Sequence, residues 1–175
     1  MIKGIIIFGP NGSGKSTLGR KLAEKLKYKY MDIEDYHFIE SDIPYTKFRS
    51  KESCHQLILE DMVKHESFVL SALTGDFNDQ IMAYYDLAIC ISAPLNLRLK
   101  RIKNRAFLQH GHRVLQGGDM HDQENEFFNH VKSKSLTSIE AFKAKLNCPI
   151  ISIDGENNLE ENLECLLKSI SNFSY

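Results

Sequence analysis

The chain contains no tryptophan, only four prolines, and four cysteines that form no C-x-x-C pair. Cys54, Cys90, Cys148 and Cys165 are scattered, and Cys90 and Cys148 fall in or beside apolar runs. They read as small buried hydrophobes rather than as a disulfide framework or a redox or zinc motif. No apolar run approaches the roughly 20 residues that span a bilayer. The opening residues lead straight into a strand-like segment without the pattern of a secretory signal. A cytoplasmic protein without membrane attachment is expected. A dominant charge is missing too: 22 Lys and Arg face 23 Asp and Glu, a formal net charge of −1. No global field therefore favours nucleic acid or a membrane surface, and the expected partner is a small molecule. With no internal repeat, low-complexity tract or Pro/Gly-rich linker, residues 1–175 read as one domain, long enough to bury a sizeable core.

What the chain does contain is concentrated near its start. Gly9-Pro10-Asn11-Gly12-Ser13-Gly14-Lys15-Ser16-Thr17 fits G-x-x-x-x-G-K-[ST]. Before it, Ile5-Ile6-Ile7-Phe8 is continuous and apolar, as befits a strand buried on both faces. After it, Leu18, Leu22 and Leu26 share one helix face. Strand, glycine-rich loop and helix together make a phosphate cradle. Glycines let successive N–H groups converge on phosphate oxygens, and the helix start adds its partial positive charge. In this arrangement Lys15 reaches the β and γ phosphates of a bound nucleotide and the Ser16 hydroxyl is placed for Mg²⁺.

Further on, Tyr28–Ile33 reads as a second strand ending in the acids Asp32, Glu34 and Asp35. A polar and aromatic segment, Tyr36–Arg49, precedes a helix expected over 52–64, with Leu57, Ile58, Met62 and His65 on one face. Phe68–Leu73 and Leu87–Ile91 read as the third and fourth strands, with a short helix over 79–84 between them. Pro94 opens a helix that runs into Arg101 and Arg105. The Gly-punctuated segment 106–121 reads as a mobile lid, and 123–146 as one long helical stretch. Pro149–Ile153 is the fifth strand, and Leu159, Leu163, Leu166, Leu167 and Ile170 mark a final amphipathic helix. The alternation is that of an α/β protein with a parallel sheet and helices on both faces. Ligands of such sheets bind at the carboxyl ends of the strands.

On the loop motif, the Asp32-x-Glu34 pair and the Arg101-x-x-x-Arg105 pair, the chain resembles the nucleoside monophosphate kinase group of P-loop proteins, with the shikimate and gluconate kinases as close relatives. Through Pro44-Tyr45-Thr46 with Arg49, and Gly117-Gly118-Asp119-Met120, it is also similar to small bacterial sequences described as "AAA family ATPase" or "shikimate kinase-like". The resemblance implies a three-layer P-loop NTPase fold with a five-stranded sheet in the order 2-3-1-4-5, ATP and Mg²⁺, an acceptor-binding segment around 34–65 and a lid around 106–121. It places Gly9, Asn11, Gly12, Ser13, Gly14, Lys15, Ser16, Thr17 and Arg101 at the nucleotide, and the metal at Ser16 and Asp32. It gives catalytic roles to Lys15, Asp32 and Arg105, and acceptor contacts to Glu34, Arg49, Gly75 and Arg113. Where adenylate kinases end the third strand in a metal-holding Asp, Ser71 stands here, so the metal's carboxylate falls to Asp32 as in shikimate kinases.

The implied activity is transfer of the γ-phosphoryl group of ATP to a nucleotide, nucleoside or hydroxylated metabolite. The alternative is a nucleotide-binding switch or slow ATPase that regulates a partner. His110, His112, His121 and His130 lie without a nearby cysteine or a recognised zinc spacing.

Overall fold

The structure, a computed structural model, describes residues 2–173. Its elements are β1 (Gly4–Phe8), α1 (Lys15–Leu26), β2 (Lys29–Asp32), α2 (Ile33–His37), β3 (Phe38–Ile39), β4 (Lys47–Phe48), α3 (Lys51–His65), β5 (Phe68–Ala72), α4 (Asp79–Met82), β6 (Leu87–Ser92), α5 (Leu95–His110), α6 (His121–Ser133), α7 (Thr137–Lys145), β7 (Ile150–Asp154) and α8 (Leu159–Asn172). Five strands pair in parallel in the order β2-β5-β1-β6-β7. With the short β3 and β4 set aside, this is the expected 2-3-1-4-5 order.

β1 is central because Gly4–Phe8 is buried throughout. Alternation along it divides the core. Ile6 and Phe8 face α3 and α7, where Ile58, Met62, Ile139 and Phe142 close over them. Phe142 meets Phe8 edge to face with ring centroids 4.9 Å apart. Ile5 and Ile7 face α1 and α8, against Leu18, Leu22, Leu163, Leu166 and Ile170. At the amino end of the sheet, one Asp86 carboxylate oxygen accepts the backbone N–H groups of Lys3 (2.7 Å) and Gly4 (2.9 Å). Among the described residues no helix is long and apolar enough to cross a membrane.

Four local features depart from the expectations or add to them. On α3 the buried stripe is Cys54, Ile58 and Met62 at i, i+4, i+8, while Leu57 is exposed. The 123–146 stretch is two helices, because Lys134 leaves helical backbone and the Ser135 hydroxyl accepts the Thr137 N–H (3.2 Å) to restart the chain as α7. The 106–121 segment is less irregular than its glycines suggest. With no breaker before Gly111, α5 continues to His110, and a single 3₁₀ turn, Gly111–Val114, leads towards α6. Within Tyr36–Arg49, β3 and β4 form a small antiparallel ribbon, Phe38 opposite Phe48.

Candidate active site

The loop after β1 is held from behind by an arginine the sequence did not single out. Arg98, only 5% exposed on α5, donates through Nε to the Ala93 carbonyl (3.1 Å) and through Nη1 to the Asn11 carbonyl (3.4 Å). Gly12 can lie against it only without a side chain: its φ is +81°, and a Cβ there would stand 2.5 Å from the Arg98 carbonyl oxygen. Arg101, one turn on, donates to the carbonyls of Ser13 (3.2 Å) and Gly155 (2.8 Å), tying the loop to the turn after β7. Gly14, left-handed at φ 108°, caps α1 without a side-chain partner, so the first N–H groups of that helix meet the cleft.

Lys15 curls back so that its ammonium donates to the Pro10 carbonyl (3.0 Å). Burial pulls its pKa down from the ordinary 10.5 to about 8, against the pull of the Glu34 and Asp32 carboxylates. Ser13 is fully buried, and its hydroxyl has no hydrogen-bond partner among the described residues.

The opposite wall is acidic. Asp32 ends β2 beside Ser71 of β5 and is 6% exposed. One carboxylate oxygen accepts the Glu34 N–H (3.3 Å) and so caps α2. The other accepts the Tyr30 hydroxyl (2.8 Å) and lies 3.8 Å from the Arg20 guanidinium. Burial, and then the neighbouring Asp32, push the Glu34 carboxyl pKa up; Arg105, Lys15 and a hydrogen bond from Tyr45 oppose the rise. Both banks open on one cleft of about 990 Å³.

Asn11, Gly12, Ser13, Gly14, Lys15, Ser16, Thr17, Asp32, Glu34, Arg49, Arg101 and Arg105 all line this cleft. Arg49 lines it with one guanidinium nitrogen already donating to the carbonyls of Asp35 (2.9 Å), Tyr36 (3.1 Å) and Phe38 (2.7 Å), which braces the turn from α2 into the ribbon. Three expected residues stand elsewhere. Gly9 is at the root of the loop, its N–H bonded to the Leu73 carbonyl (3.2 Å). Gly75 is buried in the core with its carbonyl taken by the Tyr85 hydroxyl (3.2 Å). Arg113 is exposed on the turn after α5, bidentate with Asp119 (3.0 and 2.8 Å).

Arg20, Tyr45 and Gln109 are among the further residues that line the cleft, and Tyr30 stands beside it through Asp32. Arg20 carried a signal, since it lies four residues after Ser16 on α1 and so shares its face. Arg98, one of five Lys or Arg residues on α5, carried no distinguishing signal.

Residues 11–147 match the shikimate kinase family. The chain belongs to the shikimate kinase family. It is thus a P-loop kinase, an ATP-dependent phosphotransferase acting on a small molecule. It is 29% identical to the uncharacterized protein YqaC of Bacillus subtilis (strain 168) over 181 residues, covering 98% of this chain and 99% of the relative. It is 30% identical to the shikimate kinase of Acinetobacter baumannii (strain AYE) over 123 residues, covering 60% of this chain and 66% of that enzyme. The fold of this family member is that of shikimate kinase from Bacteroides thetaiotaomicron, with a TM-score of 0.62 at 18% identity over 97% of this chain and 98% of that structure.

Proposed function

We propose that this kinase, working in the cytoplasm, transfers the γ-phosphoryl group of ATP to a hydroxyl group of an acceptor seated between Asp32 and the β3–β4 ribbon. The observation that carries this reading is the single cleft in which Asp32 faces Lys15, with the acceptor wall of Glu34, Tyr45 and Arg49 continuous with the phosphate loop. The acceptor oxygen attacks the γ-phosphorus, the bond to the β–γ bridging oxygen breaks, and ADP leaves. Asp32 accepts the hydroxyl's proton at its carboxylate. The loop N–H groups and Lys15 hold the β and γ phosphates, and Arg105 adds positive charge where negative charge gathers in the transition state. Arg101 supplies a wall for the base. Glu34 and the free part of the Arg49 guanidinium orient the acceptor, and Arg113 reaches it only if the lid moves.

The metal fits the residues present. The Ser16 hydroxyl and the Asp32 carboxylate are hard oxygen donors, and both lie within reach of one Tyr30 hydroxyl. Bound there, Mg²⁺ supplies charge neutralisation for the β and γ phosphates.

The test is ADP release measured across nucleosides, nucleoside monophosphates, polyols and hydroxylated carboxylates. Acceptor-stimulated release, abolished in Lys15→Ala and reduced about 10²-fold or more in Asp32→Asn, is the expected result. Hydrolysis that no compound stimulates would favour a nucleotide switch instead.

A further inference from the structure

The weak point in the metal side is the end of β5. In register with Asp32 stands Ser71, a hydroxyl with no charge to offer a metal, and it sits 3.4 Å from the Lys15 carbonyl, to which it donates. The carboxylates nearest the loop are thus Asp32 and, beside it, Glu34; Asp32, at the strand end opposite Ser71, must be held in place to act as a ligand.

The structure supplies the holder from two residues upstream. Tyr30 and Asp32 are i and i+2 on β2, so both point to the face covered by α1. The Tyr30 hydroxyl donates to Asp32 (2.8 Å) and has the hydroxyls of Ser16 and Ser71 as its neighbours. Its ring is clamped as well. The Arg20 guanidinium lies over it, 5.2 Å from the centroid, while reaching Asp32 at 3.8 Å. On the helix above, Gly19 leaves the necessary room: a Cβ there would come within 2.5 Å of the Ser71 hydroxyl and 2.8 Å of the Tyr30 ring.

We propose that Tyr30 is a positioning residue for the metal: its hydroxyl ties the Asp32 carboxylate to the Ser16 corner of the phosphate loop. The inference rests on the reading that Ser16 and Asp32 hold Mg²⁺. It assigns Tyr30 an effect on metal affinity exerted through Asp32, with no contact to nucleotide or acceptor.

Tyr30→Phe isolates the hydroxyl, since the ring keeps its packing against Gly19 and Arg20. Binding of a fluorescent ATP analogue is titrated with Mg²⁺ and repeated in EDTA, alongside turnover and thermal melting. The Mg²⁺ concentration that gives half of the metal-dependent tightening should rise about tenfold, and the Mg²⁺ requirement of turnover with it. Affinity in EDTA should be unchanged. In an Asp32→Asn background, Tyr30→Phe should add nothing to the Mg²⁺ titration. An unchanged Mg²⁺ titration in Tyr30→Phe, an equal loss of affinity in EDTA, or a full additive effect in the Asp32→Asn background would each overturn the proposal. Should Asp32→Asn and Ser16→Ala alone leave the Mg²⁺ titration unmoved, the metal assignment itself fails. A shift in those two but not in Tyr30→Phe removes Tyr30 only.

Discussion

Lys15 shows how one residue can be tuned by its surroundings. Its amine is desolvated in the loop, so its folded pKa of about 8 lies below the ordinary 10.5. Between those values the unfolded chain holds a proton that the folded chain has released, so raising the pH favours the folded state. The penalty is complete below about pH 8 and lifted by about 10.5. The free protein should therefore gain stability relative to Lys15→Met as pH rises from 8 to 10, by on the order of 2 kcal/mol once partial solvent exposure is allowed for. Paired urea denaturations of the two proteins across that range check this. Ser13 is a second residue-scale case. Its buried hydroxyl lacks a partner among the described residues, so Ser13→Ala should stabilise the free protein by about 1 kcal/mol. A lower melting temperature for the variant would contradict the assignment of that hydroxyl as a destabilising group.

At the scale of elements, α7 is anchored through Phe142, 1% exposed and stacked edge-on against Phe8 of the central strand. Phe142→Ala should destabilise by about 3–5 kcal/mol in chemical denaturation, because the site lies between a sheet and a helix and collapses poorly. Elements were legible in the sequence where one periodicity dominated. The run Ile5–Phe8, the glycine loop and the Leu18/Leu22 stripe each point to one structure, and the structure has it. Legibility failed where a polar side chain decides the outcome. The Ser135 hydroxyl restarts α7 within the Ser/Thr-rich 133–138 segment, a polar break that hydrophobic spacing alone passes over. Arg98 failed for a related reason: a cation in a leucine-rich helix reads as solvated, yet it finds two carbonyls in the loop facing it. The resemblance put Gly75 among the acceptor contacts, but its place is fixed by Tyr85 and Phe142, which lie further along the chain.

At the scale of the whole molecule, the region after α5 is joined to the segment around the ribbon. Gln123 of α6 donates to the Pro44 carbonyl (2.9 Å), and Arg113 to the Asp42 carbonyl (3.4 Å). Both bonds link the 111–123 region to the segment around the ribbon, so the two segments should loosen together. Gln123→Ala should raise hydrogen-exchange rates in 38–48 and 111–121 together. An increase confined to one of them would show that the two segments move independently. None of this could be read from the sequence, since it depends on carbonyls meeting side chains about 80 residues away. The far end of the sheet presents the opposite case. There Asp86 grips two successive N–H groups at the start of β1, and Phe68 donates to the Lys3 carbonyl beside them. β1 runs parallel between β5 and β6, so a pull on its amino end loads these bonds and the flanking ladders in shear, all of them at once. The phosphate loop lies at the other end of the same strand, behind that anchor. A molecule tethered by its amino end should thus bear mechanical load with its nucleotide cradle undeformed until the sheet itself gives way.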